Sequence, residues 1–138
     1  MIVVVDASVA VKWYVNEIHT LEAEKLLDGS YVLHAPELIL PEFGSIIWKK
    51  LRRNDLTERE ANQIIDAFRS QNITMHGHTS LFKAAFNGAQ ISGQTVYDWS
   101  YLALAVSLSC GFVTADERFY KALKTTTLKK NLIWIGDL

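Results

Sequence analysis

The 138-residue chain is poor in the features that would place it outside ordinary globular proteins. It has one cysteine, Cys110, so no internal disulfide is possible; set in an apolar helical pattern, that thiol reads as a small core residue. No apolar run approaches the ~18 residues of a membrane span, and the longest, Tyr101 to Val106, stops at Ser107. The N-terminus passes from Met1 straight into Ile2-Val3-Val4-Val5 with no basic region before it, so a signal peptide is not expected and the location expected is cytoplasmic. Neither sign of charge dominates: the net charge is −1, which excludes a coat held on nucleic acid by bulk charge. No linker, repeat or low-complexity segment is present. A phosphate-cradling G-x-x-x-x-G-K and a glycine-flanked nucleophile elbow are both missing, which argues against P-loop chemistry and against serine or cysteine hydrolysis.

What is present is 49% hydrophobic and 21% charged, and its length suits one domain over residues 1–138. Short β-branched runs alternate with runs of helical period. Strands are expected at Val3–Val5, Tyr31–Leu33, Ile73–Met75, Phe112–Thr114 and Leu132–Ile135. Helices are expected over Ser8–Val15, from Thr20, over Leu38–Leu51, after the capping-box pair Thr57/Glu60, around Phe82–Ala89, over the nearly all-apolar Trp99–Leu108, and around Phe119–Leu123. Strands separated by helices imply an α/β fold, a parallel sheet of about five strands with helices on both faces. In such sheets ligands bind beyond the carboxyl ends of the strands, where the strand order reverses.

Most of the fifteen acids fall on polar helix faces. Four do not. Asp6 ends the first strand, Asp116 lies just past the fourth, Asp98 opens the apolar helix, and Glu42 interrupts a helix stripe between Leu38 and Ile46. Each Asp alone reads as a helix N-cap. Capping does not account for Glu42, where Pro41 is a candidate to start or kink the helix. If the four converge, like charges ~4 Å apart repel by about 4 kcal/mol at an effective dielectric near 20. No Lys or Arg stands within two positions of Asp6, Glu42 or Asp98, and only Arg118 is that close to Asp116. A divalent cation is the natural neutraliser, and oxygen-only ligands favour Mg²⁺ or Mn²⁺ over Zn²⁺. That assembly suits attack of water on a phosphodiester.

These residues carry a resemblance. Asp6-Ala7-Ser8 after the first strand, Pro41-Glu42 leading a helix to Trp48-Lys49, Thr95-Val96-Tyr97-Asp98-Trp99-Ser100-Tyr101, and Thr114-Ala115-Asp116-Glu117-Arg118-Phe119 occur in the order and spacing of the PIN domain. Together they resemble its small ribonuclease toxins from prokaryotic VapBC toxin–antitoxin pairs. The resemblance runs along essentially the whole chain. It implies a Mg²⁺- or Mn²⁺-dependent endoribonuclease in which Asp6, Glu42, Asp98 and Asp116 hold metal and activate water, with supporting hydroxyls at Ser8 and Thr114. It also implies an antitoxin partner, a homodimer and a toxin–antitoxin hetero-oligomer. Ser45 departs from the Asn common in these toxins three residues after the helix Glu.

Nine of the fourteen basic residues lie in two windows, Lys49–Arg53 and Arg118–Lys130. The first reads as a solvated helix end. In the second, Arg118 and Lys121 are the candidates for contacting RNA. His76 and His78 would share one strand face, but no third ligand accompanies them, and all four histidines read as structural or surface residues. Trp13, Tyr14 and Trp48 are expected in the core. Two other readings, one enzymatic and one regulatory, are weaker. An aspartyl-phosphate phosphatase needs a second Asp where Ser8 stands, and a phospho-receiver domain needs adjacent acids where Asp6 stands alone. A catalytically silent binding module of the same fold is the remaining alternative.

Overall fold

The computed structural model describes residues 1–138. Five strands, β1 (Ile2–Val5), β2 (Val32–Pro36), β3 (Ile73–His76), β4 (Gly111–Thr114) and β5 (Leu132–Trp134), form one all-parallel sheet in the order β3-β2-β1-β4-β5. Val3, Val4 and Val5 are fully buried, as a central strand covered on both faces requires. The seven α-helices are α1 (Ala7–Ala10), α2 (Thr20–Glu24), α3 (Ile39–Arg52), α4 (Glu58–Arg69), α5 (Phe82–Ser92), α6 (Val96–Ser107) and α7 (Glu117–Leu123). None is long and apolar enough to cross a membrane.

The strand order explains the layering. The chain moves outward from β1 through β2 to β3, returns to β4 on the other side of β1, and continues to β5. Right-handed crossovers in opposite directions put their helices on opposite faces. Two aromatic clusters mark the two layers. Phe43 of α3 stacks on Phe68 of α4 and meets Tyr14 edge-on. On the other side Tyr101 of α6 stacks on Phe112 of β4, and Phe119 of α7 packs edge-on to both Phe112 and Trp99. Helix α6 is buried continuously from Trp99 to Ala105, the central helix its composition predicts.

Local chemistry sets most boundaries. Thr57 and Glu60 form the expected capping box, with both reciprocal hydrogen bonds made. Gly29 takes a φ of +93°, ending the second helical segment where that glycine is expected to stop it. Several expectations need correcting. The helix predicted over Ser8–Val15 is one α-turn followed by a 3₁₀ turn at Val11–Trp13. Its β-branched and aromatic residues favour the short form. The fifth strand stops at Trp134, and Ile135 opens a further 3₁₀ turn. Cys110 lies after α6, not within it, and is only half-buried. Trp48 is 52% exposed with the Arg52 guanidinium over its ring, whereas Trp13 and Tyr14 are half-buried against the core. Strand β3 ends at His76, so His78 does not share its face. His78 Nε2 instead accepts the Leu38 N–H at the start of α3, and His76 pairs with His34 at 2.8 Å.

Candidate active site

The order reversal falls between β1 and β4, and the residues just past their carboxyl ends are Asp6 and Asp116. Each caps the helix that follows. Asp6 Oδ1 accepts the Val9 N–H at 2.9 Å, and Asp116 Oδ1 accepts the Phe119 N–H at 3.0 Å. Capping and site placement are therefore not alternatives here. The cap fixes the side chain at the lip of the sheet, and one oxygen of each carboxylate stays free of it.

Asp98 is different. Thr95 is the N-cap of α6, its hydroxyl accepting the Asp98 N–H at 3.0 Å, so Asp98 sits inside the first turn and its carboxylate is not used as a cap. Glu42 also sits in a first turn. Pro41 stands one residue ahead of it at a position that needs no N–H partner, so the helix runs through without a break. The buried stripe of α3 is Ile39, Phe43 and Ile47, and Glu42 lies half-buried at its margin.

All four carboxylates line one cavity of about 170 Å³, together with Ala7, Ser8, Ile46 and Tyr101. No cation lines it. Burial therefore dominates the electrostatics. Desolvation pushes Asp6 up to about 7, with Glu42 and Asp98 adding repulsion against the partial relief from Val9 and Ser8. Burial also raises Glu42 and Asp98, each further raised by a neighbouring acid of the set. The donor set consists of carboxylate and hydroxyl oxygens without nitrogen or sulfur, the chemistry of a hard divalent cation. As placed, no three of these acids close into a cage around a single point.

The supporting residues divide. Ser8 Oγ donates to Asp6 Oδ1 at 2.8 Å and lines the cavity. Thr114 is fully buried and does not line it. Its hydroxyl accepts the Asp116 N–H at 3.0 Å, so it aims the backbone that carries the acid. Ser45 is exposed and away from the cavity lining. Arg118 and Lys121 are exposed on α7 and are not brought to the cavity; Lys121 pairs with Glu117 at 2.6 Å. Tyr101 is the residue that sequence reasoning missed. It follows Asp98 by three positions, one helical turn, and that spacing on an otherwise apolar helix is the signal that could have found it. Its hydroxyl donates to Glu42 Oε1 at 2.5 Å.

A PIN-domain family model matches residues 3–124. The chain belongs to the PIN-domain family. Within this family the PIN domain is 32% identical over 120 residues to Ribonuclease VapC3 of Pyrobaculum aerophilum, covering 86% of this chain and 92% of that one. Among solved structures, the Mycobacterium tuberculosis toxin VapC20, which cleaves the sarcin–ricin loop, superposes with a TM-score of 0.66 at 16% identity, covering 88% of this chain and 95% of that one. VapBC2 of Rickettsia felis, bound to a DNA fragment from its promoter, gives 0.63 at 15% identity over 97% of each chain. These two structural likenesses speak to the PIN fold, whereas the VapC3 match carries sequence as well.

Proposed function

We propose that this PIN domain, acting as one unit over residues 1–138, is the ribonuclease toxin of a toxin–antitoxin pair. It would cleave RNA in the cytoplasm by metal-dependent attack of water on a phosphodiester. The observation that carries the reading is the convergence of Asp6, Glu42, Asp98 and Asp116 on one cavity without a lining cation. The 32% identity to a VapC ribonuclease supports it.

Asp6, Asp98, Asp116 and Glu42 would hold Mg²⁺ or Mn²⁺. When bound, the ion supplies the Lewis-acid charge that offsets the phosphodiester and acidifies water. The chain does the rest. Ser8 and Val9 hold one oxygen of Asp6 and leave the other for the cavity. Tyr101 occupies Glu42 Oε1, so Oε2 is free to accept a proton from the attacking water. Thr114 and Phe119 set the backbone and rotamer of Asp116. The antitoxin reading rests on the VapBC neighbour and on apolar side chains left in solvent. Ile18 and Leu21 are 79% and 76% exposed, and Phe82 and Ile91 on α5 are 70% and 88% exposed. A second copy and an antitoxin are the partners such surfaces would serve.

The test is cleavage of total cellular RNA by purified, antitoxin-free protein with Mg²⁺, with Mn²⁺ and with chelator, beside an Asp6→Asn variant of verified fold. Discrete fragments that disappear with chelator and with the variant are expected. Intact RNA in every condition, with metal binding demonstrated independently, would overturn the assignment.

A further inference from the structure

Helix α3 carries two chemistries on one face. Ile46 follows Glu42 by four residues, Lys49 and Lys50 follow Ile46 by three and four, and Arg53 follows these by four and three at the helix C-cap. At 1.5 Å per residue, Lys49 lies ~10 Å and Arg53 ~16 Å beyond Glu42 along the axis. The Lys49, Lys50 and Arg53 side chains line a second cavity of about 260 Å³ with Lys12 and Glu17. Ser8 and Ile46 line both this cavity and the carboxylate cavity, and Ala115, the neighbour of Asp116, closes its rim. The two spaces thus adjoin across Ser8 and Ile46, one lined by acids and the other mainly by cations.

The basic end is assembled, not scattered. Glu17 pairs with Lys50 at 3.0 Å and with Lys12 at 3.4 Å, and both lysines are largely buried. One carboxylate thereby fixes two ammonium groups in place and leaves the cluster three positive charges in excess. Lys49 and Arg53 have no ion-pair partner and are exposed. Simple capping of the α3 dipole by cations does not require a cavity adjoining the acids.

We infer that the Lys12, Lys49, Lys50 and Arg53 groove holds the phosphates of the RNA strand that flank the bond presented to the carboxylates, and that Arg118 and Lys121 do not. The inference rests on the ribonuclease reading above. A polyanion crossing four carboxylates meets repulsion there, and a cationic track beginning one to two helical turns away supplies the offsetting attraction. Lys49 and Arg53 are the free donors; Lys12 and Lys50 are held ready by Glu17.

The test measures affinity for a fluorescein-labelled, mixed-sequence single-stranded RNA as a function of salt, in Mg²⁺. All proteins carry Asp98→Asn so that the probe stays intact. Lys49→Gln with Arg53→Gln is expected to weaken binding roughly tenfold and to flatten the log–log salt slope by about 1.4, the share of two phosphate contacts on a single strand. Arg118→Gln with Lys121→Gln removes the same charge and is expected to leave the slope unchanged. The swap Lys49→Arg with Arg53→Lys is expected to restore it. Equal slopes for the first pair and the parent, with thermal melting showing both folded, would overturn the groove and point to a protein-facing surface. Parent protein that binds no RNA would instead overturn the ribonuclease reading, and the groove with it.

Discussion

The hydroxyl of Tyr101 donates to Glu42 Oε1 at 2.5 Å, linking two helices from opposite layers over the carboxyl edge of the sheet. Tyr101 is 1% exposed, its ring stacked on Phe112, so its oxygen has little freedom to leave. Burial and the adjacent Glu42 and Asp6 carboxylates hold its proton far more tightly than in free tyrosine. Tyr101 is thus a fixed donor that positions Glu42, while Glu42 faces the cavity.

Tyr101→Phe keeps the stacked ring and removes only this donor. Loss of an outer partner of a ligating side chain typically weakens a metal site ten- to a hundredfold. The Mg²⁺ concentration that half-activates cleavage is therefore expected to rise by about that factor, with the maximal rate falling less. A metal titration superimposable on that of the parent would remove Tyr101 from this role.

The raised proton affinity of Asp6 makes a prediction about stability and pH. Its carboxyl is held up at about 7, above the 3.8 of an exposed aspartate. The folded state then binds a proton more tightly than the unfolded one, so this contribution is complete below pH 3.8 and is lost as pH rises through 7. In chelator, melting temperature is expected to fall between pH 5 and pH 8, and added Mg²⁺ to reverse the fall. Asp6→Asn keeps an oxygen for Val9 and Ser8 and should flatten the profile. At pH 8 it should stabilise the chelated protein by roughly 1–3 kcal/mol, since a tenfold change in proton affinity is worth about 1.4 kcal/mol. A variant that melts below the parent at pH 8 in chelator would refute the assignment.

Thr114→Val removes the acceptor of the Asp116 N–H without changing side-chain shape. One hydrogen bond of this kind contributes about 1 kcal/mol, or about 3–5 °C for a chain of this size. Cleavage should fall by more than that loss of stability explains, because the same bond aims Asp116. Thr114→Ser, which keeps the hydroxyl, should recover most of the activity. If Thr114→Val keeps full activity and Thr114→Ser loses it, the methyl packing of Thr114 matters and its oxygen does not.

Gly88 allows α5 to approach α6 closely. A Cβ built there would overlap the Trp99 ring, and Trp99 is buried. Alanine would bring about 1 kcal/mol of helix propensity but force a tightly packed ring to shift. Gly88→Ala is expected to destabilise by roughly 1–3 kcal/mol net, read by urea unfolding, and to reduce activity because Trp99 adjoins Asp98. A neutral or stabilised variant would show that the ring has room to move.

Much of this protein is legible along the chain because its signals are local. Alternation of β-branched runs with helical period specifies an α/β fold. Thr57 and Glu60 name a capping box, and the four acids stand out because none of them falls on a polar helix face. Asp6 and Asp116 were equally readable as caps, and they do cap; nothing local says that a cap also faces a cavity. Helix α6 starts three residues earlier than the sequence predicts for a local reason too, since Thr95 and Asp98 are both good caps and only the backbone shows which one serves.

The remainder depended on which layers meet. Helical period puts Glu42, Lys49 and Arg53 on one face of α3, but not what that face adjoins. The reversal of strand order between β1 and β4 sets Asp6 and Asp116 side by side, and the packing of α3 and α6 over that edge brings Tyr101 to Glu42 and the α3 cations beside the acids. By sequence alone, Arg118 and Lys121 were the better candidates, being two and five residues from Asp116. Proximity along the chain counts for little once a helix turns its side chains outward. The periodicity of a segment follows from its own residues, whereas the partner of each face is chosen by burial across the whole fold.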